Sequence, residues 1–367
     1  MIPIYQPSFV GREKEYVNDC LDSLWISSQG GYVKDLEASI AAYHDMPHAL
    51  VVANCTCALH LAFVALGIGE GDEVICPDLT FIAPANMIKL TGAKPVLVDI
   101  DPVTLAINPD LITKSITPRT KAILVVHQFG HAADMDRIMS IARDFGLRVI
   151  EDNAESIGAF YKGKMLGTIG DCATFSFFGN KVVTTGEGGA IVLRDKTLWQ
   201  RMQILRDHGM SPTKRYEHLD LGFNYRMTNL QAAIGLAQME KLDETLELRR
   251  KQLAVYERVL GDIEELETRK FANWCVPTHW LMTVHLRESK KRNPVLKYML
   301  DNGIECRPMI NPVHMADHFA QHYDAWLFPN AIDVSSRSLH LPSGNNVDEE
   351  MISCIAANLE KAIKSDD

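Results

Sequence analysis

Short apolar runs alternate with helix-like segments through the first half of the chain. HALVVA (48–53) reads as a strand and CALHLAFVAL (57–66) as the helix after it. EVICP (73–77) reads as the next strand, followed by APANMIKLTG (83–92) as a helix. KPVLVDI (94–100), KAILVVHQFG (121–130) and LRVIEDNA (147–154) are three further strand candidates. MDRIMSIARDFG (135–146) is a helix that stops on Gly146, as helices often do. This βαβα rhythm predicts an α/β fold with a largely parallel sheet covered by helices on both faces. Such sheets bind ligands outside the carboxyl ends of their strands.

The second half reads differently. From Met227 to about Leu260 the chain is rich in Ala, Leu, Glu and Arg and predicts a long helix. Beyond it come a strand candidate, HWLMTVHL (279–286), a helix, PVLKYMLDNG (294–303), and a final helix, VDEEMISCIAANLEKAIK (347–364). The expectation is a large domain over 1–244 and a smaller α+β domain over 245–367. No internal repeat and no low-complexity tract is visible.

Composition narrows the function classes. The 367 residues are 47% hydrophobic and 23% charged, with a net charge of −10. That is ordinary globular material, and the acidic balance argues against nucleic acid or an anionic membrane as partner. No basic segment leads into an apolar run at the start, so no signal peptide is expected. No apolar run reaches the roughly 20 residues of a membrane span. Eight cysteines are scattered, and Cys55 and Cys57 form the only close pair, without a second metal-like pair. Reduced thiols in the cytoplasm, and no metal, are the expectation.

Three stretches hold candidate chemistry. In FFGNKVVTTGEGG (177–189) a lone Lys181 sits among glycines between two strand-like runs, CATFSFF and AIVL. A solvated loop lysine is the ordinary reading of such a residue. VIEDNAESIGA, however, ends a strand on Asp152, where a parallel sheet presents a ligand site. NCTCALHL opens a helix with small polar residues, where free N–H groups and the helix dipole favour a phosphate. Ser176 stands five residues before the lysine. An amine for a Schiff base, an acid for a pyridinium nitrogen and donors for a phosphate are together what pyridoxal phosphate (PLP) needs.

On these stretches the chain resembles the fold-type I PLP-dependent nucleotide-sugar aminotransferases (the DegT/DnrJ/EryC/StrS type). WISSQG, DEVICPDLTFIA, EDNAESIGA, GDCATFSFFGNKVVTTGEGGAIV, GFNYRMTNLQAAIGLAQME and GIECRP match the family's blocks in order, over nearly the whole chain. FSFFGNK and NYRMTN look most like the GDP-perosamine-forming members, which aminate C4 of GDP-4-keto-6-deoxymannose with glutamate.

The resemblance implies roles. Lys181 would bond the cofactor aldehyde and then shuttle the proton. Relatives with histidine there dehydrate sugars, so the lysine favours amino transfer. Asp152 would hold the pyridinium nitrogen. Thr56, Ser176 and the backbone around Cys55 would hold the phosphate, with Cys55 standing where the family usually has glycine. Phe81 would stack on the ring. Glu155 would lie near the phenolic oxygen, where many relatives have Gln. Asn224 would reach the phosphate of a neighbouring subunit, implying a homodimer with shared sites. Arg226 would contact substrate or serve as a buried interface arginine. Ser27, Ser28, Gly30, Arg307, His314 and Arg337 would serve a nucleotide-linked 4-keto-6-deoxy sugar and L-glutamate. RPMINPVH and NWCVPTHW depart from the family's more aromatic pattern, on the side expected to take the sugar nucleotide. A UDP- or dTDP-linked keto sugar, and a PLP-binding regulatory protein without turnover, are the competing readings.

Overall fold

The computed structural model describes residues 1–365. A seven-stranded sheet forms its centre, built from β1 (His48–Val52), β2 (Glu73–Pro77), β3 (Lys94–Val98), β4 (Thr120–Val126), β5 (Arg148–Asp152), β6 (Cys172–Ser176) and β7 (Gly189–Leu193). The spatial order is β1-β7-β6-β5-β4-β2-β3. β3, β2, β4, β5 and β6 pair in parallel, while β7 runs antiparallel between β6 and β1. Every residue of β2 and β7 is buried, as expected of strands covered on both faces. Truncating a core leucine here, such as Leu50 or Leu124, would cost about 2–5 kcal/mol.

The helices start and stop on identifiable signals. The Asn54 side chain accepts from the Cys57 N–H at 2.9 Å and caps helix Cys55–Ala65. Gly146, at φ 66°, ends helix Met135–Phe145 as the sequence suggests. The single long helix expected over 227–260 is two helices, Asn229–Glu240 and Leu242–Leu260, joined at Lys241. Thr228 and Gln231 form a reciprocal capping box at the start of the first. Helices Glu13–Asp22 and Gly31–Tyr43, unread in the sequence, lie against it, with Tyr16 and Cys20 buried on Ala233 and Ala237. Alanines there let the helices approach closely.

A second, antiparallel sheet follows, with β8 (Leu266–Thr268), β9 (Met282–Leu286), β10 (Arg307–Pro308) and β11 (Ser338–Leu341) in the order β8-β9-β11-β10. Its own apolar cluster includes Val284, Leu339, Ile355 and Leu359, supplied partly by the final helix Glu349–Lys364. Among the described residues no helix is long and apolar enough to cross a membrane.

Candidate active site

The carboxyl ends of β1, β2, β4, β5 and β6 lie along one edge of the large sheet, and the chain segments that leave them hold the candidate chemistry. Asp152 is the last residue of β5 and is 4% exposed. One backbone N–H, from Ala154, reaches its Oδ1 at 3.0 Å. The Cys55 Sγ lies 4.0 Å from the same oxygen. Burial lifts the Asp152 pKa to about 6, and neighbouring Glu155 adds to the rise, while Ala154 N–H and Lys181 oppose it. Burial also holds the Cys55 thiol well above its ordinary value, so it stays a neutral neighbour.

Lys181 leaves β6 through the turn after Phe178, whose carbonyl accepts its N–H at 2.9 Å. Its side chain is 13% exposed, with Nζ 3.4 Å from Glu155 Oε1. Burial pushes the amine below its ordinary value, against the opposing pull of Glu155 and Asp152. The other Glu155 oxygen accepts from the Phe129 N–H at 2.8 Å. Glu155 therefore rests on a cation and a backbone donor, which stabilises a carboxylate in this setting.

Trp280, the last residue of NWCVPTHW and given no role of its own by the sequence, covers Lys181. Nζ stands 3.3 Å from the centroid of the indole, and the indole Nε1 donates to the Asn180 carbonyl at 2.6 Å. Tyr5 also donates its hydroxyl to the Lys181 carbonyl, at 2.6 Å. The sequence hid both because each partner lies at least 100 residues from the lysine loop.

A buried His127–Glu151 pair supports the same strand end. The Ala133 N–H donates to His127 Nδ1, which leaves the ring proton on Nε2, facing Glu151 Oε2 at 3.0 Å. Glu151 also accepts from the N–H groups of Gly167, Ile169 and Gly170. Burial alone would raise its pKa, but these donors hold it below the ordinary value.

The phosphate candidates converge through the backbone. Gly189 opens β7 opposite Ser176, and a Cβ there would lie 2.7 Å from Asn54 C and Cys55 N. Only glycine allows the start of helix Cys55–Ala65 to press so close against the start of β7. The first-turn N–H groups of Cys55 and Thr56 precede the helical hydrogen-bond ladder, and Ser176 ends β6 opposite Gly189. Phe81 precedes helix Ile82–Leu90 and is 61% exposed, so it is not a core aromatic.

These placements fit pyridoxal phosphate. Asp152 is a buried carboxylate short of a cation, which a protonated ring nitrogen supplies. Lys181 is an amine biased toward its neutral, nucleophilic form. A tight glycine contact, a free helix terminus and a serine are the kind of donors and close approach a phosphate would need.

The remaining candidates fall into separate settings. Asn224 is exposed and forms an isolated β-bridge with Asp207, and its Oδ1 accepts from Arg226 Nε at 3.0 Å. Arg226 is further held by Asp207 at 2.7 Å and by the His208 ring. Ser27 is exposed, and its carbonyl accepts from the Asn229 N–H at 3.0 Å. Ser28 is half-buried next to it. Gly30 is buried, and a Cβ there would overlap the Asn229 amide, a packing reason for glycine. Arg307 is exposed and 3.2 Å from Glu305. The Arg337 guanidinium is engaged by Asp333 and Glu267 at 2.8 and 3.0 Å. His314 is buried, with Nδ1 2.7 Å from Asp78 Oδ2 and its ring stacked on Phe328. Its place in the structure is that of a packed histidine.

Comparison with known proteins agrees with this geometry. The model of the DegT/DnrJ/EryC1/StrS aminotransferase family matches residues 7–360. The chain is 45% identical over 366 residues to the GDP-perosamine synthase of Caulobacter vibrioides, covering 99% of this chain and 98% of that protein. It is 43% identical over 360 residues to the GDP-perosamine synthase of Escherichia coli O157:H7, covering 98% of both. The PLP form of the putative sugar aminotransferase Spr1654 from Streptococcus pneumoniae superposes with a TM-score of 0.93 at 25% identity, over 99% of this chain and 98% of that one.

Proposed function

Because the chain belongs to the DegT/DnrJ/EryC1/StrS aminotransferase family, we propose that it moves the amino group of L-glutamate onto C4 of GDP-4-keto-6-deoxymannose, giving GDP-perosamine. The chain is a PLP-dependent aminotransferase. The observation that supports the chemistry is the cluster of Lys181, Asp152 and Glu155 at the carboxyl edge of the sheet. Support for the substrate comes from the two perosamine synthases, each matched over nearly its full length.

Bound PLP supplies an aldehyde to receive the amino group and a ring that draws electrons from the reacting carbon. Asp152 holds the ring nitrogen protonated. Lys181, depressed toward neutrality, accepts and returns the proton at the reacting carbon. The first turn of helix Cys55–Ala65, Thr56 and Ser176 hold the phosphate, and Phe81 covers the ring. Glu155 orients Lys181 and the Phe129 turn. Ser27, Ser28, Arg307 and Arg337 are the candidates for substrate contact.

The enzyme is read as a homodimer in which Asn224 serves the partner's phosphate. The exposed apolar side chains Trp25 (57%) and Ile26 (48%), in the segment that meets Asn229, and Leu221 (83%), three residues before Asn224, support apolar surface available for such a contact. Eight free cysteines support a reducing, cytoplasmic setting.

The test uses the purified holoenzyme. Glutamate should convert its visible spectrum to that of the pyridoxamine form. GDP-, dTDP- and UDP-linked 4-keto-6-deoxy sugars should then be compared by steady-state kinetics, with products read by mass spectrometry. Amination of the dTDP- or UDP-sugar alone would overturn the GDP assignment, while loss of the spectral step would overturn aminotransfer itself.

A further inference from the structure

Below the lysine loop, helix Leu242–Leu260 carries Arg249 into the interior. It is only 1% exposed, although its side chain is among the largest and most polar in the chain. Its Nε and Nη2 have no hydrogen-bond partner among the described residues. Nη1 has one distant acceptor, Gln252 Oε1 at 3.5 Å. The guanidinium lies 5.1 Å from the Tyr5 ring centroid, the Tyr5 hydroxyl is a neutral polar neighbour that favours its charged form, and no carboxylate pairs with it. The adjacent Arg250 has its own exposed partner, Glu247. A buried cation without a counter-charge is strongly disfavoured, and burial accordingly pushes the Arg249 pKa down.

Beside Arg249 is a cavity of about 10 Å³, which it lines with Gln252, Tyr256, His279, Met282 and Ser343. That is room for one water-sized occupant. Apart from His279, whose pKa burial lowers to about 3 so that its ring is neutral and supplies no counter-charge, the other polar groups around it are committed elsewhere. Gln252 Nε2 donates to the Gly344 and Val347 carbonyls, Tyr256 donates to the Pro342 carbonyl, and Ser343 Oγ donates to the Leu341 carbonyl. Two guanidinium donors of this lining residue remain unpartnered beside one small space.

We propose that this cavity is a monovalent-anion site, in which one chloride-sized ion sits against Nε and Nη2 of Arg249. Charge selects an anion over water, because the guanidinium has no other counter-ion. Size excludes a carboxylate or a phosphate. The site is coupled to the lysine loop, since Arg249 packs on Tyr5 and the Tyr5 hydroxyl holds the Lys181 carbonyl. Occupancy therefore stabilises the fold where the lysine is anchored.

Two measurements on the wild-type holoenzyme test this. Crystals of the holoenzyme grown in sodium bromide should show an anomalous peak against Arg249 Nε and Nη2. Thermal unfolding at constant ionic strength should give a Tm that rises with the logarithm of chloride concentration when chloride replaces gluconate. Arg249→Met should lose both the peak and the chloride dependence. No bromide peak at Arg249, or a Tm indifferent to the exchange of chloride for gluconate, overturns the proposal. Neither wild-type result depends on whether the variant folds.

Discussion

Glu151 and Asp152 are consecutive carboxylates at the end of one strand, both buried, and they are opposites. Glu151 is saturated, with a histidine N–H and three backbone N–H groups on its two oxygens. Asp152 points to the other face and receives a single backbone N–H. The fold holds the first as an anion and disfavours the second as one, with a pKa of about 6. A buried charge whose partners are all in the chain is architecture. A buried charge left short of a partner marks where a ligand belongs.

The largest expected effect falls on the cation nearest Asp152. Lys181→Ala should lower transamination by more than about 10³-fold, since a lost general acid–base group alone costs roughly 10²–10⁴. Circular dichroism and Tm should stay close to wild type, because the Glu151 network does not include Lys181. Near-normal turnover would remove the chemical half of the contrast. Glu151→Ala should do the reverse. Leaving His127 and three backbone donors unmatched should cost about 3–5 kcal/mol of stability, measured by denaturant unfolding. A variant as stable as wild type would show that Glu151 is not the anchor the geometry indicates.

Next is Asp152→Asn. Removing the anion proposed to hold the ring nitrogen protonated should lower turnover by an amount equivalent to about 2–4 kcal/mol. The pH dependence of the cofactor-free protein sharpens the contrast. Asp152 has a folded pKa of about 6, above the roughly 3.9 of an unfolded aspartate. Between those values the folded state binds more protons, so its contribution to stability is present at low pH and lost as pH rises through about 6. The full swing is about 3 kcal/mol at most. Glu151, with a lowered pKa, contributes the opposite slope, with stability lost as pH falls. Asp152→Asn should abolish only the first slope and leave the apoprotein no less stable at pH 7. An apoprotein destabilised by the substitution at pH 7 would refute the reading of Asp152 as a strained anion.

Much of the fold was legible because strands β1 to β5 are apolar runs punctuated by turn residues and capped helices. Lys181 and Asp152 were legible because local pattern alone, a glycine-crowded loop and an acid at a strand end, places them at the sheet edge. Partners across the fold were not. Glu151 stands next to Asp152 in the chain and has no legible role there, because its role is set by donors at His127, Gly167, Ile169 and Gly170. His314 reads as a C-terminal substrate candidate, but Asp78, 236 residues earlier, claims its ring. Arg337 similarly meets Glu267 only through the small sheet. The break at Lys241 was hidden because the residues around it favour helix throughout. Residue type shows that a charge exists. Whether it is already paired is a tertiary fact.

The smallest expected effect concerns the lysine side of the same balance. Protonated Lys181 lies against the face of Trp280, an arrangement that stabilises a cation by about 0.5–2 kcal/mol. Burial works in the other direction and favours the neutral amine. Removing the ring with Trp280→Leu deletes the stabilisation of the charged form, so the amine should lose its proton at lower pH. The neutral amine is the form that bonds the cofactor aldehyde. The pH profile for reconstituting apoenzyme with PLP should therefore move toward lower pH, by about one pH unit or less at 1.36 kcal/mol per unit. Leucine also breaks the Asn180 contact, which could loosen the loop without touching the amine. Loosening alone would slow reconstitution equally at every pH. A uniform slowing with an unmoved profile would make Trp280 a prop for the loop, and a displaced profile would make it part of the electrostatics that set Lys181 against Asp152.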